Sequence, residues 1–117
     1  PVSLLAQHGK PVLVHFWAEW CPICGLEEGS IQSLSEDYQV ISVATTSGDV
    51  DEVRAHMTRQ GLSFPTMLDE DGEIARSWGL KGVPASFVID ADGQISSALI
   101  GYTTGMGFRL RMWLAGL

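Results

Sequence analysis

Pro11-Val12-Leu13-Val14-His15-Phe16-Trp17-Ala18-Glu19-Trp20-Cys21-Pro22-Ile23-Cys24 is the stretch from which the fold can be read. Residues 11–17 are apolar apart from His15 and rich in β-branched and aromatic side chains. That is the pattern of a central strand covered on both faces. Pro22 suits the first turn of a helix, where a missing N–H leaves no bond unmade. Cys21 therefore stands where a strand passes into a helix. A helix N-terminus offers free N–H groups and a partial positive charge, both of which favour a thiolate. Cys21 is the expected attacking sulfur. Cys24 lies one helical turn further in and is the expected resolving sulfur.

The helix is expected from about Pro22 to Asp37, with Cys24, Glu27, Ile31, Leu34 and Tyr38 as its buried stripe. Gly29 interrupts the pattern and marks a kink or a close backbone approach. A buried thiol resists ionisation, so Cys24 needs a proton acceptor. Glu27 lies three residues on, on the same helical face. Desolvation on that stripe would raise its carboxyl and make it a proton relay near neutral pH. The competing reading has Glu27 swing out to water and do nothing. Glu28 is expected to be solvated.

The chain has 117 residues, 45% of them hydrophobic, and two cysteines. One domain over residues 1–117 buries a core at that size without staples. A disulfide across so short a loop would add only about 2 kcal/mol, so a purely structural bridge is the weaker reading. Structural zinc needs four ligands, and His8, His15 and His56 form no closely spaced pair. A reversible dithiol remains, in which one sulfur attacks and the other resolves. Fourteen acidic against seven basic residues give a net charge of −7, which argues against nucleic-acid binding. No apolar run reaches the roughly 20 residues that span a bilayer. Pro1-Val2-Ser3 opens no signal peptide and reads as the start of a trimmed chain.

Beyond the first helix, Val40–Ala44 reads as a strand. Asp49 and Glu52 form a capping pattern for a helix to about Gln60. Phe64–Leu68 is a short strand, and Asp69-Glu70-Asp71-Gly72 a turn before a short helix from Ile74 to Trp78. Ala85–Ile89 and Ile95–Ile100 are strands joined by the hairpin turn Asp90-Ala91-Asp92-Gly93. Neither Asp-rich turn completes a calcium loop. A last helix from about Thr104 is expected to bury Met106, Leu110, Trp113 and Leu117. The order predicts an α/β fold with helices on both faces of a sheet that has an antiparallel edge. His15 in the buried strand reads first as a hydrogen-bonded core residue. Trp17 reads as core, and Trp20 as an apolar wall of the site. Trp78 and Trp113 default to packing.

Phe16-Trp17-Ala18-Glu19-Trp20-Cys21-Pro22-Ile23-Cys24 resembles the thioredoxin active site. Gly82-Val83-Pro84-Ala85-Ser86-Phe87-Val88-Ile89-Asp90 resembles the cis-proline loop of that superfamily. The resemblance covers nearly the whole chain and implies a thioredoxin-like fold, a central mixed sheet with helices on both faces. Cys24-Gly25-Leu26-Glu27 is similar to the Cys-x-x-Glu pattern of the TlpA and ResA type and of cytochrome c maturation thioredoxins. The helix from Asp49 and the strand at Phe64–Leu68 are similar to the insertion of that group. The whole is also similar to the membrane-anchored suppressor-of-copper-sensitivity type. His15 departs from cytoplasmic thioredoxin, where a buried acid stands, and this shifts the relay role towards Glu27. The resemblance implies that Val83-Pro84 is a cis peptide facing the dithiol, with the Val83 backbone free to pair with an extended substrate. It implies also that Pro84, with no ligand atom, keeps metal off the sulfurs. Trp20, Pro22, Ile23, Val83 and Pro84 are then the substrate-contact candidates.

The function expected is thiol–disulfide exchange on protein disulfides through Cys21, Cys24 and Glu27. The redox-active pair would need no cofactor and no metal. The resemblance implies a reductant in the periplasm, anchored to the inner membrane by a preceding segment and supplied by a membrane dithiol protein. A role in copper tolerance is one branch. Reduction of apocytochrome c or its chaperone is another. A peroxidase of this fold would need a Thr one turn before its cysteine, and Trp17-Ala18-Glu19-Trp20 stands there instead. A copper-binding module without catalysis would use two thiolates for Cu(I), but Met57, Met67, Met106 and Met112 are scattered and read as core.

Overall fold

The computed structural model describes residues 10–116. Strand β1 (Val12–Trp17) is buried along its whole length. Val12, Val14 and Phe16 enter one apolar cluster, while Leu13 and Trp17 enter two others. A strand covered on both faces belongs in the middle of a sheet, and the sheet order is β3-β2-β1-β4-β5. β1 runs parallel to β2 (Gln39–Thr45), which runs parallel to β3 (Thr66–Asp69). It runs antiparallel to β4 (Ala85–Ile89), and β4 antiparallel to β5 (Ile95–Ile100). The sheet is mixed, as the sequence predicts.

Helix α1 (Pro22–Ser35) buries Cys24, Glu27, Ile31 and Leu34 of the expected stripe, whereas Tyr38 lies beyond the helix end and is partly buried. The lower half of α1 packs with Leu13, Val40, Val88 and the side chains of α4 (Gly105–Ala115). Helix α2 (Val50–Gln60) starts on the reciprocal Asp49–Glu52 capping box and stops at Gly61, whose φ of +69° favours glycine. Val53 from α2 joins Trp17 and both cysteines. The short α3 (Glu73–Ser77) lies on the opposite face, where Ala75 packs with Val14, Phe16 and Phe87. Asp69 holds that turn: Oδ1 accepts the Ile74 N–H, and Oδ2 accepts the Ala75 N–H and the Thr45 hydroxyl. Asp90 does the same for the hairpin, accepting from the N–H groups of Asp92 and Gln94.

Two expectations are corrected. In α4 the buried residues are Phe108 and Met112, whereas Met106, Leu110 and Trp113 are 82%, 54% and 57% exposed. Met106 is therefore not core. This helix carries apolar side chains on two opposite arcs, so periodicity alone does not choose between them. The choice is made by partners distant in sequence: Arg109 reaches Asp37 and Ser33 on one side, and Phe108 closes the core over Leu13. Leu117 lies outside the described residues, as do Pro1-Val2-Ser3 and His8. Gly29 marks no close approach, since a Cβ there would meet nothing within 4 Å.

Candidate active site

The end of β1 delivers Trp17 and Ala18 into the core and leaves Glu19 and Trp20 exposed. Cys21 then caps α1, its sulfur accepting the Cys24 N–H at 3.2 Å. That bond uses one of the free donors of the first helical turn. Cys21 is 8% exposed and Cys24 fully buried, and both are free thiols. One sulfur is thus at the surface edge and the other behind it. The Cys21 thiol also points to the Val83 carbonyl at 3.7 Å, 62 positions away in sequence. Val83 is half-buried and Pro84 buried, and the peptide bond between them is cis.

Trp20 is 64% exposed, with its indole N–H bonded to the Thr46 carbonyl. Pro22 and Ile23 are exposed on the first turn of α1. A cleft of about 200 Å³ lies between Trp20 and Val83, lined also by Ala75, Leu80 and Lys81. Trp20, Pro22 and Ile23 flank Cys21 in sequence, and the Val83-Pro84 loop meets it through the Val83 carbonyl. Trp20 and Ile23 offer exposed apolar surface beside Cys21, which is 8% exposed.

Behind the dithiol the polarity is unusual. Glu27 is 1% exposed, and does not swing out to water. Its Oε2 accepts the Thr103 N–H at 2.6 Å. Burial pushes its carboxyl up from the ordinary 4.5 to about 6, with the Thr103 bond pulling the other way. Burial also pushes the Cys24 thiol well above its usual range, and the adjacent Cys21 sulfur and the Glu27 charge act in the same direction. His15 is 2% exposed and bonded through Nδ1 to Ser86 Oγ at 2.7 Å. Burial pushes its imidazole down to about 3, so the ring is neutral. Glu28 is only partly solvated: it bonds His56 Nε2 at 2.6 Å, and that ring stacks on Trp17.

The structure brings together the two cysteines, Glu27 and the Val83-Pro84 loop that the sequence singles out. Sequence reasoning missed Thr103 and Ser86. Thr103 contributes a backbone N–H, which no side-chain pattern reveals. Ser86 stands directly across from His15 in the β1–β4 register, a pairing visible only once the strands are aligned. Among the described residues, no cluster of three or more His, Cys, Asp or Glu is arranged to hold a metal ion.

A model of the AhpC/TSA family matches residues 1–98. The chain belongs to the AhpC/TSA family. A thioredoxin-like protein of Haemophilus influenzae is 34% identical over 110 residues, covering 93% of this chain and 65% of that protein. Thiol-disulfide oxidoreductase ResA of Bacillus thuringiensis is 33% identical over 107 residues, covering 88% and 62%. This AhpC/TSA chain thus spans less than two thirds of the length of those two curated relatives. The crystal structure of a thiol:disulfide interchange protein of the thioredoxin family from Chlorobium tepidum superposes with a TM-score of 0.81 at 28% identity. It covers 97% of this chain and 83% of that one. The fold of this AhpC/TSA chain is thioredoxin-like.

Proposed function

We propose that the chain is a protein thiol–disulfide oxidoreductase in which Cys21 attacks and Cys24 resolves. The observation that carries this reading is the asymmetry of the pair. Cys21 sits at a helix N-terminus beside Val83, while Cys24 is fully buried beside Glu27. The names of the two relatives, a thioredoxin-like protein and a thiol-disulfide oxidoreductase, support it.

The Cys21 thiolate attacks one sulfur of a protein disulfide. The substrate S–S bond breaks, one substrate thiolate leaves, and a Cys21–substrate disulfide forms. Glu27 then takes the Cys24 proton, and the Cys24 thiolate attacks Cys21 Sγ. The Cys21–substrate bond breaks, the second substrate thiolate leaves, and a Cys21–Cys24 disulfide remains. Two electrons have passed to the substrate, and a dithiol donor must return two to the pair. Trp20, Pro22 and Ile23 supply apolar contact. The Val83 backbone, released from the Cys21 thiol once that sulfur ionises, pairs with an extended substrate segment.

The finer reading is a reductant of selected protein disulfides in an extracytoplasmic compartment, one domain anchored to a membrane and fed by a membrane dithiol protein. ResA-type resemblance supports the compartment and the direction. Service in copper tolerance or in cytochrome c maturation depends on the substrate protein, and Cys24→Ser tests it. That variant should accumulate mixed disulfides whose partners are identified by mass spectrometry. Insulin reduction should vanish in Cys21→Ser. Full activity in that variant would refute the assignment. The equilibrium reduction potential of the pair decides between reductant and oxidant.

A further inference from the structure

The two oxygens of Glu27 are not equivalent. Oε2 accepts the Thr103 N–H. Oε1 is buried with no hydrogen-bond partner. A buried acceptor left unpaired costs free energy, about 1–3 kcal/mol for a neutral group and more for a charged one. Oε1 is therefore the oxygen with lone pairs free for a proton. The polar side-chain atom facing it is His15 Nε2, at 3.9 Å.

His15 is held so that this nitrogen keeps its direction. It lies on β1 directly opposite Ser86 on β4. Ser86 Oγ engages Nδ1 at 2.7 Å, and Phe108 packs edge-on against the ring. A neutral imidazole has one N–H and one bare nitrogen. If Nδ1–H donates to Ser86 Oγ, Nε2 is bare and can accept.

The other groups around Glu27 leave this task to His15. Cys24 faces it from the same helix. The segment between β5 and α4 contributes only the Thr103 N–H. Among the described residues, neither of the two arginines that form ion pairs pairs with Glu27.

We propose that His15 is a positioning residue for Glu27, with Nε2 accepting the hydrogen bond of the proton that Oε1 receives from Cys24. This rests on the reading that Glu27 takes the Cys24 proton. In that step the Cys24 S–H bond breaks and an Oε1–H bond forms. His15 gains no proton and no charge. A side-chain shift of about 1 Å closes the gap to hydrogen-bond length. The neutral state of the ring matters: a cationic His15 would have no bare nitrogen and would hold Glu27 ionised, opposing the transfer. The lowered His15 and raised Glu27 values agree with a ring that is neutral throughout and a carboxyl that is neutral once it holds the proton.

The test uses the reduced chain and two readouts. In ¹⁵N spectra at about pH 5, below the Glu27 midpoint of about 6, Nδ1 should carry the proton and Nε2 should report a hydrogen-bond acceptor. An Nε2–H tautomer there would overturn the proposal. The second readout is the rate of mixed-disulfide resolution by Cys24, measured from a preformed Cys21 adduct. His15→Phe, which keeps a ring and removes the acceptor, should slow it about tenfold. His15→Gln, which restores an acceptor, should recover most of the loss. Equal slowing in both variants, or none in either, would overturn the proposal. Glu27→Gln separates the two levels. If it leaves resolution unchanged, the underlying relay reading fails. If it slows resolution while His15→Phe does not, only the role of His15 fails. Should His15→Phe not fold, the tautomer measured on the native chain still decides.

Discussion

Thr103 donates its backbone N–H to Glu27 Oε2 at 2.6 Å, across 76 positions of sequence. The bond fixes the start of α4 against the buried face of α1. It satisfies one carboxyl oxygen, while the other is buried without a hydrogen-bond partner. It also holds a titratable group in the core, and measurable consequences follow from that placement.

Glu27→Gln keeps an acceptor for Thr103 but removes the proposed base. Resolution of a Cys21 mixed disulfide should slow by about 100-fold, the lower end of general acid–base effects. The first attack by Cys21 should be nearly unchanged. Rapid quenching with thiol alkylation distinguishes the two steps.

The same substitution should change the pH dependence of stability. The folded Glu27 midpoint, about 6, lies above its ordinary 4.5. The folded state therefore binds this proton more tightly than the unfolded state. Its contribution is full below about pH 4.5 and is lost as pH rises through about 6, a change of about 2 kcal/mol. Urea unfolding of Glu27→Gln should lack that decline.

His15 works in the opposite direction. Its folded midpoint, about 3, lies below the ordinary 6.5. The unfolded ring takes a proton where the folded ring does not, so stability falls as pH drops from about 6.5 towards about 3. His15→Gln should flatten this acid branch. An unchanged branch would place the acid sensitivity elsewhere.

The rotation of α4 is tested by a pair of truncations. Phe108→Ala removes a fully buried ring beside Leu13 and Val88 and should cost about 3–5 kcal/mol. Trp113→Ala, on the solvent side, should cost well under about 1 kcal/mol. Denaturant midpoints of the two variants settle the order.

Asp69→Ala should be costly without touching the dithiol. Its buried carboxylate accepts three hydrogen bonds that start α3 and tie it to β2. Losing them leaves donors unpaired, with a cost of about 3 kcal/mol. Disulfide reduction at low temperature should persist in the folded fraction.

Much of the fold was legible because its signals are local. The apolar run at β1, Pro22 after Cys21, the Asp49–Glu52 box and the Asp90–Gly93 turn each act within a few residues. Cys24, Glu27, Ile31 and Leu34 share a face by helical spacing alone. The phase of α4 was not legible, because both of its arcs are apolar and the deciding contacts come from Asp37, Ser33 and Leu13.

The sequence by itself determined a strand–dithiol–helix unit, the acidic balance, and the presence of Glu27 on the helical face that starts at Cys24. Spacing and propensity suffice for these, since they depend on covalent geometry and near neighbours. Only the tertiary structure decided how the site is wired. It set the Cys21 thiol against Val83, gave Thr103 to one oxygen of Glu27, and turned His15 towards the other. The first two relations join segments 62 and 76 residues apart, and the third depends on Ser86, across the sheet from His15, holding the ring. Their physical basis is desolvation and hydrogen-bond geometry in a packed interior, which exist only once the chain has folded.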